Sequence, residues 1–186
     1  MNKAKAIISS IMDAQPAIPP AIIQNVKQSG IPQEFLAYIK RVENPTKQGY
    51  KNGKWYPIPD PAYGDIVGYG HQLSGFDLIK AKQGLTDADV EALLVYDLVV
   101  AKRKVYHYIT TKYGATIQLN PRQEQMLMDY AFNLGGLEKF PKMVDAVLRW
   151  DVEAMKQQHK RFATIGGKKQ ELSGRNAAFS RAFLPK

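Results

Sequence analysis

Residues 68–71 read Gly-Tyr-Gly-His, the most informative short run in the chain. Two glycines bracket an aromatic residue there, which lets the backbone approach a ligand or another strand closely. The surrounding residues 44–75 are rich in Gly, Pro, Tyr and Trp and lack helical periodicity. Such a composition predicts hairpins and turns that form a small antiparallel sheet.

Helical patterns lie on both sides of this segment. Upstream, Pro32 is typical of a first helical position and opens a helix from Gln33 to about Val42. Downstream, Thr86 and Asp89 resemble a capping box, with Asp in place of the usual Glu. The long helix that they open repeats apolar residues every three to four positions for over five turns.

The second half of the chain continues this helical pattern. Asn120 caps a helix that begins at Pro121 and stops at Gly135. Further helices are predicted at about residues 141–149, 151–162 and 173–183, and two short ones precede the first at about 3–15 and 21–28. The predicted fold is α+β and mainly α. A small β-hairpin lobe and a larger helical lobe are joined by a long helix, and a cleft between lobes is a common place for a site.

Composition narrows the class of protein further. The chain has 186 residues, a formal net charge of +9 and no cysteine. A disulfide scaffold, a thiolate metal site and a Cys nucleophile are therefore excluded. No apolar run approaches the ~20 residues that span a bilayer, so no transmembrane segment is expected. The charge favours an anionic partner, which could be nucleic acid, a membrane surface or an acidic bacterial envelope.

Glu43 is the first candidate for chemistry. It closes the helix that begins at Gln33, on the same face as the apolar residues Leu36 and Ile39. A carboxylate on an apolar face loses water, and its protonated form then becomes available as a general acid. The alternative is a terminal glutamate that swings into solvent.

Asp60 and Asp65 follow in the turn-rich segment. Hydrolysis of a glycosidic bond needs two carboxyl groups, one to protonate the leaving oxygen and one to activate water or stabilise the cation. Asp beside proline and glycine is also ordinary turn chemistry. The nearby aromatic residues Trp55, Tyr63 and Tyr69 could stack on sugar rings or pack the small lobe.

His71 and Asp97 are expected to form a structural pair. Asp97 lies in the middle of the long helix on its apolar face, where an unpaired charge is costly. His71 is a suitable partner, and the pair would then be a strut between lobes. The three histidines lie far apart in the sequence, so no metal site and no cofactor are predicted.

These motifs together resemble the phage-type lysozymes of the T-even class, glycoside hydrolase family 24. The shared order is a Glu at a helix end, a hairpin that carries Asp, Gly-x-Gly-His, and Leu-Thr followed by Leu-Leu-x-x-Asp at residues 85–97. Residues 123–135 add Gln-x-x-x-Leu-x-x-x-Ala-Phe-Asn-x-Gly, and Gly-Arg-Asn at 174–176 fits the basic turn before the last helix. The resemblance covers about residues 33–184.

The resemblance implies roles for single residues. Glu43 matches the acid of the family, and Asp60 matches its Asp when the count runs back eleven residues from His71. Sixteen residues separate the two carboxylates instead of the family's eight, so the hairpin is enlarged by about eight residues. The family's Thr falls on Ile66, and Asp65 could replace it only if the strand carries a bulge.

Other residues follow from the same comparison. Asp97 falls where the family pairs an Asp with the His, which supports the strut interpretation. Asn133, in the Ala-Phe-Asn motif, is assigned to substrate binding together with Trp55, Tyr63 and Tyr69. Residues 1–31 have no counterpart in the minimal family member and are predicted to form an N-terminal helical extension. Residues 32–186 would form the catalytic domain, with the small lobe at about 44–75 and the helical lobe at about 86–186.

The function that the resemblance implies is cleavage of peptidoglycan between N-acetylmuramic acid and N-acetylglucosamine by a monomeric phage endolysin. Such an enzyme would stay in the host cytoplasm until a holin releases it to the cell wall, and anionic envelope components could be further partners. A lytic transglycosylase and a non-catalytic wall-binding virion module are the alternatives. Nucleic acid is not expected as a partner, because the basic residues are not interleaved with aromatic residues.

Overall fold

The computed structural model describes residues 29–61, 63–165 and 167–185. The predicted helices at 3–15 and 21–28 lie outside these residues. Contacts divide the chain into two compact units, Met1–Val99 and Val100–Lys186, here called the first and second unit. The boundary falls inside the predicted long helix.

The first unit contains the whole turn-rich segment. Its elements are α1 (Gln33–Glu43), β1 (Tyr50–Lys51), β2 (Lys54–Trp55), β3 (Ile58–Asp60), β4 (Gly64–Val67), β5 (His71–Gln72), α2 (Gly75–Lys82) and the beginning of α3 (Asp87–Tyr113). The predicted hairpins and the helix after Pro32 are thus present. Pro32 is the residue before the helix and not its first residue. Helix α2 was not predicted.

Strands β1 and β2 form a tight hairpin. Tyr50 pairs with Trp55 and Lys51 with Lys54. The two turn residues Asn52 and Gly53 both have positive φ, 51° and 76°. An Asn-Gly turn of this kind matches the twist of a two-stranded ribbon, which explains why the chain reverses here.

Strands β3, β4 and β5 form a three-stranded antiparallel sheet in that order. Ile58 pairs with Ile66 and Asp60 with Gly64, and on the other side of β4 Val67 pairs with His71. Along both ladders each residue of β4 pairs with the next residue of its neighbour in turn, so β4 contains no bulge.

The core of the first unit lies between the hairpins, α2 and α3. Its buried members are Trp55, Val67, Leu73, Ala81, Leu85, Val90, Ala92 and Leu93. Gly68 turns the chain beside this core with φ +64°, and a Cβ there would lie 2.2 Å from Cγ1 of Val90. Only glycine fits this position, because a side chain would collide with α3 as well as strain the backbone. The glycine at 68 therefore permits close packing of the turn on the helix.

The second unit is mainly helical. It contains the end of α3, then α4 (Pro121–Leu134), α5 (Pro141–Arg149), α6 (Val152–Gln158), β6 (Phe162–Ile165), β7 (Lys168–Glu171) and α7 (Ser173–Phe183). The Asn120 side chain accepts hydrogen bonds from the backbone of Arg122 and Gln123, and Gly135 ends α4 with φ 79°. These local signals are those that the sequence predicted.

The sequence interpretation was wrong at residues 159–162, and it missed the hairpin that ends at Glu171. The helix predicted at 151–162 ends at Gln158, and a hairpin of β6 and β7 follows, with Phe162 paired to Glu171. The α+β, mainly α fold class is nevertheless confirmed. Among the described residues, no helix has both the length and the apolar character that crossing a membrane requires.

Candidate active site

Glu43 is the last residue of α1 and is half-buried. The helix buries Phe35, Leu36 and Ile39, which lie on the same side of the helix as Glu43 or next to it. Glu43 thus lies where the helix passes into the loop before the hairpins.

Asn44 connects the end of α1 to the turn between β4 and β5 through hydrogen bonds. Its Nδ2 donates to the carbonyl oxygen of Gly68 at 2.7 Å and to that of Gln48 at 2.9 Å, and its Oδ1 accepts from the backbone N–H of Gln48 at 2.7 Å. One side chain therefore connects the end of α1, the following loop and the turn after β4. Sequence reasoning did not single out Asn44.

The same loop also packs on the sheet further along. Gly49 has φ +87°, and a Cβ there would lie 2.8 Å from the Tyr56 carbonyl oxygen and 3.0 Å from Cγ1 of Ile58. The backbone of Gly49 thus lies directly against the Ile58 side chain. Because residues directly opposite in a ladder, and every second residue along a strand, share a face, Ile58 lies on the same face as Asp60 and Ile66.

Asp60 ends β3 on this face. Its Oδ1 accepts a hydrogen bond from the backbone N–H of Tyr63 at 3.0 Å, which is the turn chemistry that Asp beside proline favours. Asp60 is half-buried. The loop after Glu43 and the Asp60 carboxylate consequently belong to one side of the sheet.

Asp65 lies on the opposite face. It pairs with Pro59 and shares a face with Val67, which is buried in the core. Its carbonyl accepts from the backbone N–H of Leu73 at 2.8 Å, which continues the regular ladder. The bulge that Asp65 would need to replace the missing Thr is absent from β4, so the condition for that alternative is not met.

Ile66, where the resemblance predicts the family's Thr, lies on the Asp60 face. The residue opposite it is Gln72, whose Nε2 donates to the Tyr63 carbonyl at 2.9 Å. Gln72 is thus a polar side chain on this face that sequence reasoning missed. Its position depends on strand register, which its neighbours in the sequence do not reveal.

The predicted sugar-binding aromatics divide into two groups. Trp55 is 1% exposed, and its Nε1 donates to Asp87 at 2.7 Å. This burial removes Trp55 from the candidate substrate contacts and leaves the packing role. Tyr69 packs on Trp55 with ring centroids 5.5 Å apart, and burial, then Asp87 and Glu91, raise the pKa of its phenol. Tyr63 is 66% exposed and is free to meet a ligand.

His71 and Asp97 are brought together. Nδ1 of His71 lies 2.9 Å from Oδ2 of Asp97, and the side chains are 15% and 26% exposed. The contact joins β5 to α3 within the first unit. No atom of the proposed carboxylate pair takes part in it.

Asn133 lies in the second unit, at the edge of a buried polar cluster. Its Oδ1 accepts from Arg161 at 3.4 Å. Arg161 is fully buried, forms an ion pair with the buried Asp129, and lies over the Tyr130 ring at 4.0 Å. The Asn133 oxygen is therefore already engaged by the protein.

Among the described residues, no three His, Asp or Glu side chains lie close enough together to hold a metal ion.

The family model for phage lysozyme matches residues 50–178. The chain belongs to the phage lysozyme family. The matched range contains Asp60, Asp65, His71, Asp97 and Asn133, whereas Glu43 precedes it. Neither the curated proteins nor the solved structures contain a match to the chain.

Family membership confirms the predicted resemblance and the lysozyme-like character of the fold. It also makes the protein a lysozyme-like enzyme whose substrate is peptidoglycan.

Proposed function

We propose that this phage lysozyme hydrolyses the β-1,4 bond between N-acetylmuramic acid and N-acetylglucosamine, with Glu43 as general acid and Asp60 as second carboxylate. The observation that carries the proposal is the packing of the loop after Glu43 on the Ile58 side chain, on the Asp60 face of the sheet. Asp65 lies on the other face, so Asp60 is the carboxylate that shares a side with that loop.

The proposed reaction follows from these positions. Protonated Glu43 donates its proton to the glycosidic oxygen while the bond to the sugar breaks. Ionised Asp60 accepts a proton from a water that attacks the opposite side of the ring. A separation of ~6.5–9.5 Å between the carboxyl groups would leave room for that water and give a product of inverted configuration.

A lytic transglycosylase is the second candidate. It needs the acid but no second carboxylate, because the muramic acid C6 hydroxyl attacks in place of water. The observation that favours it is Ile66, an apolar residue where the family has a Thr hydroxyl. Gln72, opposite Ile66, is a polar group on the same face that could orient a water in its place.

Mass spectrometry of digested peptidoglycan tests these alternatives. A hydrolase leaves reducing N-acetylmuramic acid ends, which take up one oxygen from labelled water. A transglycosylase leaves anhydro ends without the label. A non-catalytic wall-binding module leaves the glycan intact and would disprove the proposal.

The proposed setting is lysis of the bacterial host by a monomeric endolysin that a holin releases from the cytoplasm. The charge of +9 supports contact with an anionic cell envelope. Lysis from within on co-expression with a holin, and its loss without the holin, would test this route.

A further inference from the structure

The β1–β2 hairpin has two unlike faces. Tyr50 and Trp55 share one, and their rings pack 5.0 Å apart against the core. Lys51 and Lys54 are directly opposite each other on the other face, which alternation along the strand extends to Tyr56. These three residues are called the lysine face below.

The lysine face concentrates positive charge without compensation. Both lysines are exposed, and residues 45–58 carry three lysines and no acidic residue. Other lysines of the chain do have carboxylate partners, as Lys40 has Glu91 and Lys102 has Glu124. Within the part of the chain that the structure describes, Lys51 and Lys54 have no carboxylate at ion-pair distance. Like charges directly opposite in a ladder destabilise it, and a bound anion would remove that cost.

Each lysine of this face packs on a neighbouring residue. Nζ of Lys51 lies 4.8 Å from the centre of the Tyr56 ring, within the range of a cation–π contact. Lys54 and Tyr56 both pack on Gly84, where a Cβ would lie 2.7 Å from Cδ of Lys54 and 3.1 Å from Cζ of Tyr56. The positive charges are thus presented on a braced surface.

The lysine face lies next to β3 in the chain. Only Pro57 separates Tyr56 from β3, the strand that ends at Asp60. A ligand on this face would therefore accompany the glycan that the enzyme cleaves. The peptide stems of peptidoglycan are attached to that glycan at muramic acid, and they carry free carboxylates.

We propose that the lysine face binds the stem-peptide carboxylates of peptidoglycan. The inference rests on the proposed function, because it takes the glycan to lie along β3. Residues 42–102 contain no arginine, so the surface lacks the planar fork that grips phosphate in two places. Single ammonium groups suit dispersed carboxylates on mobile peptides. The enlarged hairpin would thus extend substrate recognition beyond the sugar chain.

A binding experiment tests the proposal. Solubilised glycan strands free of phosphate polymers are prepared with their stem peptides and after an amidase has removed them. Affinities are measured in a Glu43→Gln background, so that no strand is cleaved. Lys51→Gln/Lys54→Gln is expected to weaken binding of the peptide-bearing strands by about 2- to 30-fold, the range for two exposed ion pairs. The stripped strands should bind both proteins equally, and the difference should shrink as salt rises.

Two further variants serve as controls. Lys142→Gln/Lys168→Gln removes the same charge from exposed positions in the second unit and should not discriminate between the strands. Lys51→Arg/Lys54→Arg keeps the charge and should bind both strands like the parent protein, whereas the equal affinity of Lys51→Gln/Lys54→Gln for the stripped strands excludes a folding defect in that variant. Equal weakening on both strands, or no weakening on either, would overturn the inference. So would weakening that appears only when phosphate polymers are added.

Failure of the proposed catalytic function can be distinguished from failure of the inference about the lysine face. If wild-type protein with Glu43 binds both strands but cleaves neither, the catalytic proposal fails, while the comparison of affinities still decides the role of the lysines.

Discussion

The side-chain amide of Asn44 donates a hydrogen bond to the carbonyl of Gly68 at 2.7 Å. Gly68 is itself wedged against Val90 of α3, where no larger residue fits. The residue after the proposed acid is therefore anchored to a turn that packs tightly on the buried side of α3. Precise placement of an acid is worth much in catalysis, since small misplacements cost large factors in rate.

Asn44→Ala is expected to lower kcat about tenfold or more while changing KM little, because Glu43 loses its placement but the sugar-binding surface is untouched. Steady-state kinetics on peptidoglycan would measure both constants. Gln48→Ala is the matched control, since Gln48 meets Asn44 only through its backbone in these hydrogen bonds. A purely structural role for Asn44 would instead reduce the folded fraction and leave the kcat of the remainder normal.

Glu43→Gln should fold normally and lose lysis, because the amide keeps the shape of the side chain and cannot donate the required proton. Circular dichroism would monitor the fold, and turbidity of a peptidoglycan suspension would monitor activity. Retention of more than about a hundredth of the rate, the smallest factor usual for a general acid, would refute the assignment.

Asp60→Asn should reduce activity about as strongly as the Glu43 change, whereas Asp65→Asn should leave most of it. The reason is the sheet register, which puts Asp60 and Asp65 on opposite faces. Peptidoglycan turnover by the two variants, compared side by side, measures this. Full activity in the Asp60 variant together with an inactive Asp65 variant would reverse our assignment.

Asp97→Asn should lower the free energy of unfolding by about 1 kcal/mol, the scale of a partly exposed ion pair and its hydrogen bond. The 2.9 Å contact with His71 is the interaction that weakens. A double-mutant cycle with His71→Gln, followed by urea unfolding, isolates the pair from other effects. Additive losses in the cycle would show that the two side chains do not act together.

Tyr130 makes the free energy of unfolding depend on pH in the alkaline range. Burial raises the pKa of Tyr130 to about 12, although the neighbouring Arg161 guanidinium lowers it in part. An unfolded tyrosine has a pKa of about 10, so between about pH 10 and 12 the unfolded chain releases a proton that the folded protein keeps. The stabilisation is complete below pH ~10, and about 2–3 kcal/mol of it is lost as the pH rises to ~12.

Tyr130→Phe should therefore flatten the stability curve in that interval. It should also lower stability at neutral pH by about 1–3 kcal/mol, because the His159 carbonyl loses the hydrogen bond that it accepts at 2.7 Å. Urea unfolding at a series of pH values measures both effects. Tyr63→Phe, at an exposed tyrosine, is the control, and a Tyr130→Phe curve parallel to wild type would contradict the interpretation.

Local signals made much of the fold predictable. The ends of α4 follow from Asn120 and Gly135, because caps act through neighbouring residues. The β6–β7 hairpin was missed since Phe162–Ile165 is a short run whose helical and strand patterns cannot be distinguished by periodicity. Its partner strand decides the matter, and that is a tertiary contact.

In the candidate site, too, some features could be predicted from the sequence and others depend on tertiary contacts. Glu43 and Asp60 could be proposed from the order of motifs, and the contact of Asp97 with His71 could be predicted. The burial of Trp55 could not, because it depends on a backbone bridge to Leu85 and a hydrogen bond to Asp87 from distant parts of the sequence. Asn44 was missed for a similar reason, since its partner Gly68 lies 24 residues away.

The Asn52-Gly53 turn that closes the β1–β2 hairpin is also a site where the protein can change chemically as it ages. Asparagine followed by glycine is prone to deamidation, because glycine leaves the attacking backbone nitrogen unshielded, and both turn residues are exposed. The product, aspartate or isoaspartate, places a negative charge in the turn that connects Lys51 to Lys54. Aged protein would therefore carry its own counterion at the hairpin tip, and fractions separated by charge would differ first at this turn.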